Sequence, residues 1–384
     1  MDNNLNLNDF DYKLNKRYIS EYPRSKRDQS KLLVYQNDKI FNSNFFNLDS
    51  YIPDNSTIFL NNTRVINSRF YFINSTKNKI EILVTKTKNL KESDINKVEI
   101  EGLIGNRNKW KNEEILTQTK KNIKLEALKK ENKFFFRWNS DKSWDEILEI
   151  FGIIPLPPYI KRDVIDNDYN DYQTVYSKVN GSIASPTAGL HFSRKLINKL
   201  KKSHLIENIT LHVGIGTFKP IRERKIKDHK MHSESISISK QNILSIEKSK
   251  NIIAVGTTSL RTLESIYYLA VKISKGESID FIEQYPYVRE EKYFDRRKVC
   301  KIILEFMKNK NIEKINFKSS LFIIPGYEFK LCDQLITNFH YPKSTLILLI
   351  AAFIGEDWRK VYNFALDNNY RFLSYGDSSL LYKK

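Results

Sequence analysis

At Gly152 the pattern of the chain changes, and few folds accommodate both sides of that change. Before it lie short β-branched and aromatic runs, at residues 57–60, 79–85, 98–103 and 134–138, of which 79–85 alternates apolar and polar over part of its length. Such runs predict a small antiparallel β domain or barrel over residues 64–151. The stretch 109–130 is so charged that it reads as loops and edges. Pro155, Pro157 and Pro158 then make a stiff extended crossing, as expected of a domain boundary. Beyond it strands and helices alternate. Residues 208–213, 252–255 and 321–324 read as strands, and Gly256-Thr-Thr-Ser259 turns the second of these into a helix from Leu260. Leu190, Leu196, Ile197 and Leu200 form a helical stripe. Ser344 or Thr345 starts a buried helix that stops at Gly355. This alternation predicts an α/β domain. Order begins at Lys31 after thirty polar, irregular residues, and residues 271–319 look like an insertion.

A chain of 384 residues is long for one hydrophobic core, so two domains are expected. The longest apolar run, residues 346–354, is nine residues, whereas a membrane span needs roughly twenty. No basic start followed by an apolar segment opens the chain, and the two cysteines, Cys300 and Cys332, form no metal or disulfide pattern. The expected location is the cytoplasm, with no membrane partner. The net charge of +19 points to a polyanionic partner. Composition offers a second explanation, because a chain rich in Asn, Lys, Ile, Tyr and Phe is what A/T-biased codons produce.

Four polar segments sit beside glycines, prolines or strand ends, where scaffolds present functional groups. The first is Tyr172-Gln173, followed by the small-residue loop through Ser185, Thr187 and His191. Its free N–H groups and hydroxyls suit an anion or a nucleoside; the plain alternative is a capped turn. The second is Leu211-His212-Val-Gly214-Ile-Gly216, a strand followed by two glycines that permit close backbone approach but lack the third glycine of a dinucleotide fingerprint. The third holds His229, His232 and Glu234. That spacing is not a metalloprotease helix and no further ligand is signposted, so proton transfer suits it better than a metal. The fourth gathers Asn338, His340, Lys343 and Ser344 at a helix start, a natural anion site.

Together these segments closely resemble the S-adenosylmethionine:tRNA ribosyltransferase-isomerase family of queuosine biosynthesis. The resemblance runs from Phe10-Asp-Tyr12 to Tyr370-Arg-Phe-Leu-Ser-Tyr-Gly-Asp377. It includes Asn61-Asn-Thr-Arg-Val65, Leu156-Pro-Pro-Tyr-Ile160, Pro186-Thr-Ala-Gly-Leu-His-Phe192, His229-Lys-Met-His-Ser-Glu234, Val255-Gly-Thr-Thr-Ser259 and Thr337-Asn-Phe-His340. The resemblance implies an α/β main domain (residues 1–63 and 152–384) with the small antiparallel β-barrel, residues 64–151, inserted into it. It implies transfer and isomerisation of the ribosyl part of S-adenosylmethionine onto the aminomethyl-deazaguanine base of a tRNA. Adenine and methionine leave, and epoxyqueuosine remains. S-adenosylmethionine is then a co-substrate, and no prosthetic group or metal is implied; a monomer is the default.

The residues matched to that chemistry are His191, His212, His229, His232 and Glu234 for proton work. For the substrates they are Asn62, Arg64, Tyr172, Gln173, Thr187, Gly214, Gly216, Thr257, Arg261, Asn338, His340, Lys343 and Asp377. Arg222, Arg224, Lys225 and Lys227 form a basic run beside His229 and are expected to contact tRNA phosphates. The chain departs from the family pattern at Asn62, usually Asp, at Ser185, usually Ala, and at Lys31, usually Arg. Two other classes remain open at this level: a metal-dependent hydrolase of RNA or nucleotides built on His229, His232 and Glu234, and a non-catalytic RNA-binding relic of the same fold.

Overall fold

A computed structural model describes residues 5–89, 96–214, 216, 221, 223, 225–289 and 293–384. Its main body is a mixed ten-stranded sheet. Four strands at its centre, Leu205–His212, Thr57–Asn61, Ile252–Val255 and Gln334–Asn338, are neighbours and mutually parallel. Beyond Leu205–His212 come Glu234–Ser239, Lys314–Ser319 and Phe281–Ile282. Beyond Gln334–Asn338 come Ser378–Tyr382, Lys31–Gln36 and Lys39–Asn44.

The period-two alternation of side chains sorts this sheet into two buried faces. Leu33, Phe59, Ala254 and Leu335 fall on one face, with helices Lys240–Lys248, Thr257–Lys275, Arg296–Lys310, Thr345–Ile354 and Trp358–Asp367 contributing to the same core. Their sequence neighbours Leu32, Val34, Ile58, Leu60, Ile253, Val255 and Ile336 fall on the other, under helix Arg194–Leu200 and the short turn Phe45–Tyr51. Covering both faces explains why Ile252–Val255 is an unbroken apolar run rather than an alternating one. Each such Ile or Leu contributes about 1.5–3 kcal/mol by leaving water.

A second sheet has six strands, all antiparallel, in the order Arg69–Ile73, Lys79–Asn89, Lys97–Gly105, Lys133–Trp138, Ile123–Lys130 and Ile115–Lys120. Its first and last strands meet where Gln118 Nε2 donates to the Tyr71 carbonyl, so the sheet nearly closes. It has a core of its own around Phe70, Phe72, Phe134 and Phe136, covered by helix Trp144–Phe151. A reciprocal Ser143–Glu146 capping box starts that helix. The chain leaves the main body and returns to it side by side. Arg69 and Ile153 exchange backbone hydrogen bonds at 3.1 and 2.8 Å. A side chain at Gly152 would lie 1.8 Å from the Asn67 carbonyl oxygen, so this close approach requires glycine.

Three expectations need correction. Most of residues 109–130 forms strands, not loops: Leu116, Ile123, Leu125 and Ala127 are buried, while Thr117, Lys120, Lys124 and Lys130 face water. Residues 321–324 are buried but not a strand, because ladder pairing stops at Ser319 and Phe322 N–H goes to the Gln284 carbonyl instead. The stripe from Leu190 is broken into a 3-10 turn, Thr187–His191, and a helix, Arg194–Leu200, because Ser193 accepts the Leu196 N–H and starts the helix anew. The described part of 271–319 is woven into the main body. It supplies the end of helix Thr257–Lys275, helix Arg296–Lys310 and two strands of the sheet. Among the described residues no helix is long and apolar enough to cross a membrane.

Candidate active site

Parallel strands leave their carboxyl ends on one edge of a sheet, and the loops that follow form a natural crevice there. Here that edge carries a cavity of about 770 Å³. The loop after Leu205–His212 gives it Val213, the turn after Ile252–Val255 gives Gly256, Thr257 and Thr258, and the end of Gln334–Asn338 gives Asn338 and His340. The fourth wall, Ala184 to Ala188, follows the short strand Val179–Ser182. Thr187, Thr257, Asn338 and His340 are therefore brought together although up to 153 positions apart in sequence.

The polar groups on these walls differ in what they can do. Gly256 has φ 89° and ψ 151°, and no side chain caps helix Thr257–Lys275, so the first N–H groups of a five-turn helix open beside the cavity. Ser185 Oγ is buried with no hydrogen-bond partner among the described residues. Asn338 Nδ2 donates to the Leu373 carbonyl at 2.8 Å. His340 lies 3.0 Å through Nε2 from Thr337 Oγ1, and burial pulls its pKa down to about 3. It is neutral at pH 7 and serves as a hydrogen-bonding group.

Beside the Gly256 end, helix Thr257–Lys275 carries Arg261. Arg261 Nη2 is 2.6 Å from Glu234 Oε2, and both side chains are almost completely buried. Glu234 Oε1 lies 3.5 Å from His232 Nε2. Burial alone would raise the Glu234 carboxyl, but Arg261, His232 and the Gly214 N–H outweigh it and hold it below the usual range. A side chain at Gly216 would come within 2.3 Å of His232 Cγ, so that glycine makes room for the ring. The second and third segments thus meet in one Arg–Glu–His arrangement.

The other matched residues are engaged elsewhere. His191 is buried against Phe45; burial outweighs the nearby Asp377 and Asn338 and lowers its pKa to about 4. His212 Nδ1 is 2.9 Å from Thr63 Oγ1, and burial lowers its pKa. His229 Nδ1 is 3.0 Å from Glu223 Oε2, away from Glu234. Among the described residues no three His, Cys, Asp or Glu side chains gather as a metal site would require. Asn62 Oδ1 accepts from Thr210 Oγ1 at 2.7 Å, and Arg64 is exposed. Tyr172 is fully buried. Gln173 bonds both backbone groups of Val65, at 3.0 and 2.7 Å. Asp377 is buried and accepts the Lys31 and Arg371 N–H groups at 2.9 and 2.8 Å, with Arg24 at 3.2 Å, so it fastens the C-terminal segment. Lys343 pairs with Asp11 at 2.7 Å. Lys225 and Lys227 are exposed, whereas Arg222 and Arg224 lie outside the described residues.

Most of the cavity's rim was not signposted by the sequence. Lys16, Glu21, Tyr159, Lys161 and Tyr341 line it. Tyr159 lies in the Leu156–Ile160 motif and Tyr341 directly follows His340, but no local pattern marks Lys16, Glu21 or Lys161. They converge because the N-terminal segment is fastened across the fourth segment, where the Tyr12 hydroxyl donates to the His340 carbonyl and Lys343 N–H bonds the Phe10 carbonyl.

The chain is similar to known proteins over nearly its whole length. The family model described as "Queuosine biosynthesis protein" matches residues 7–381. An S-adenosylmethionine:tRNA ribosyltransferase-isomerase of Rickettsia bellii is 35% identical over 99% of this chain and 100% of its own length. Another, from Buchnera aphidicola, is 38% identical over 97% of this chain and 96% of its own. A crystal structure of S-adenosylmethionine tRNA ribosyltransferase from Thermotoga maritima is 25% identical, covers 97% of this chain and 99% of that one, and has a TM-score of 0.47. Family match and full-length relatives together show that this chain belongs to the queuosine biosynthesis protein family.

Proposed function

We propose that this chain is an S-adenosylmethionine:tRNA ribosyltransferase-isomerase acting on the aminomethyl-deazaguanine base of a tRNA. The supporting observation is the cavity assembled at the strand ends from the first, second and fourth polar segments and the Gly256–Thr258 turn, with Arg261 of the Arg261–Glu234–His232 arrangement on the helix that starts there. Its volume of about 770 Å³ lies within the range of roughly 300–1,000 Å³ usual for small-molecule sites. The open N-terminus of helix Thr257–Lys275 suits the carboxylate of S-adenosylmethionine. Ser185, Thr187 and Asn338 suit its nucleoside part.

The sulfonium acidifies the adjacent C5′ hydrogens, so removing one needs a base, and adenine departs more readily if protonated. His191 and His340 are neutral and poor proton acceptors at pH 7, since burial disfavours their charged forms. Proton work is assigned to His232, whose Nε2 faces Glu234 Oε1 at 3.5 Å, with His212, whose pKa burial lowers, as the second candidate. Residues 64–151 are read as an inserted barrel domain and residues 1–63 with 152–384 as the catalytic domain. The side-by-side exit and return at Arg69 and Ile153 support that division. Lys225 and Lys227, exposed in the basic run, are read as tRNA-phosphate contacts.

The reading is tested by nucleoside analysis of precursor tRNA incubated with the protein and S-adenosylmethionine. A new nucleoside heavier by the transferred ribosyl unit is expected. Consumption of S-adenosylmethionine with an unchanged tRNA base contradicts it.

A further inference from the structure

We propose that the rim of the cavity seats the single-stranded loop of the RNA. Tyr341 stacks on a base beside the one modified, and Lys16 and Lys161 contact the flanking phosphates. This rests on the tRNA reading above and adds where the loop sits. Single-stranded RNA is held by outward-facing aromatic rings interleaved with cations, because every base has a stacking face and every linkage a charge.

The rim has both. Tyr341 lines the cavity yet is 37% exposed. Its ring rests edge-on against Tyr159, with centroids 5.6 Å apart, and the Tyr159 hydroxyl is bonded to Ser374. The platform is thus braced from beneath. Lys16 and Lys161 are exposed on the same rim, and among the described residues neither makes an ion pair. Next to Glu21 and Lys161, Tyr22 is 52% exposed, and the Arg162 guanidinium lies over its ring at 4.1 Å. Arg162 is itself fixed by two bonds to Asp168, at 2.6 and 2.7 Å. Residues 13–27 carry six Lys and Arg against the single acidic Glu21. S-adenosylmethionine has one carboxylate and no phosphate, so it does not account for two cations without an ion-pair partner among the described residues and an outward ring at the mouth.

The test is direct titration of the full-length protein with precursor tRNA and with its anticodon stem–loop, at several salt concentrations. Tyr341→Ala is expected to weaken stem–loop binding about fivefold to a hundredfold, the usual effect of losing one stacking ring. Tyr341→Leu keeps an apolar side chain on Tyr159 and should lose as much, whereas Tyr341→Phe should bind within about twofold of the unsubstituted chain. Lys16→Gln with Lys161→Gln should flatten the salt slope by about 1.4, or about 0.7 per phosphate contact on a single strand. Lys121→Gln with Lys124→Gln, on the six-stranded sheet, should leave the slope unchanged. Unchanged affinity in both Tyr341→Ala and Tyr341→Leu, equal slope loss in the two lysine pairs, or no RNA binding by the unsubstituted chain overturns the proposal. Tyr341-dependent binding without any modified nucleoside leaves the rim assignment standing and sinks the enzymatic reading instead.

Discussion

Of the histidines matched to the reaction, His232 has the most informative surroundings. Glu234 stands behind it and Arg261 behind Glu234, a carboxylate fully buried and balanced from two sides. Removing one member of such an arrangement leaves another uncompensated, so its parts are expected to act as a unit. His232→Ala should lower turnover at least about a hundredfold while the protein stays folded, the usual contribution of a proton-transfer group. Gly216→Ala should do much the same, since its new methyl group meets the His232 ring. Steady-state kinetics beside thermal melting checks both, and normal turnover in the two folded variants contradicts the assignment. His191 and His340 give a different prediction. Their pKa values fall from 6.5 to about 4 and about 3 in the fold, so acid protonates them in the unfolded chain first. Their stabilising contribution is complete above about pH 6.5 and is lost as pH falls below it. At pH 5 the loss should be on the order of 2 kcal/mol for each, relative to pH 8. Urea unfolding at the two pH values measures it; equal stability at both would mean that these rings are not held neutral.

Elements were legible where one local rule decided them. Ile252–Val255 could be read directly because a strand covered on both faces is wholly apolar, and the glycine after it marks the turn into the helix. The strands Ile115–Lys120 and Ile123–Lys130 could not, because their water-facing positions carry Thr117, Thr119, Lys120, Lys124 and Lys130, which hide the inward apolar residues. Among the departures, Ser185 in the cavity wall has a buried hydroxyl without a partner among the described residues, while Lys31 Nζ bonds the Asn368 carbonyl at 2.8 Å and does not line that wall. At the scale of the strand-to-helix turn, Gly256 gives a sharp expectation. Its φ of 89° with ψ of 151° lies in a region essentially restricted to glycine. Gly256→Ala should cost about 1–3 kcal/mol and shift the helix N-terminus at the cavity. Its urea midpoint should fall and its affinity for S-adenosylmethionine should weaken together. A variant with both unaltered would remove the helix N-terminus from the account.

On the scale of the whole molecule, the chain combines a three-layer α/β body with a six-stranded sheet that has a separate core. The four polar segments were legible as candidates, but not their division into cavity wall, Arg–Glu–His arrangement and structural anchor. Gln173 and Asp377 show why. A buried amide or carboxylate looks the same in sequence whether it awaits a ligand or holds a backbone, and only packing decides. The charge of +19 is likewise ambiguous in sequence and acquires meaning only where cations stand at the cavity's mouth. All of this bears on one claim, that the cavity brings S-adenosylmethionine and a tRNA base together for ribosyl transfer. The most direct measurement is adenine released from S-adenosylmethionine with and without precursor tRNA. The account predicts release in step with tRNA modified, and little without the tRNA. Release at the same rate with no tRNA present, or none with it, would contradict the account.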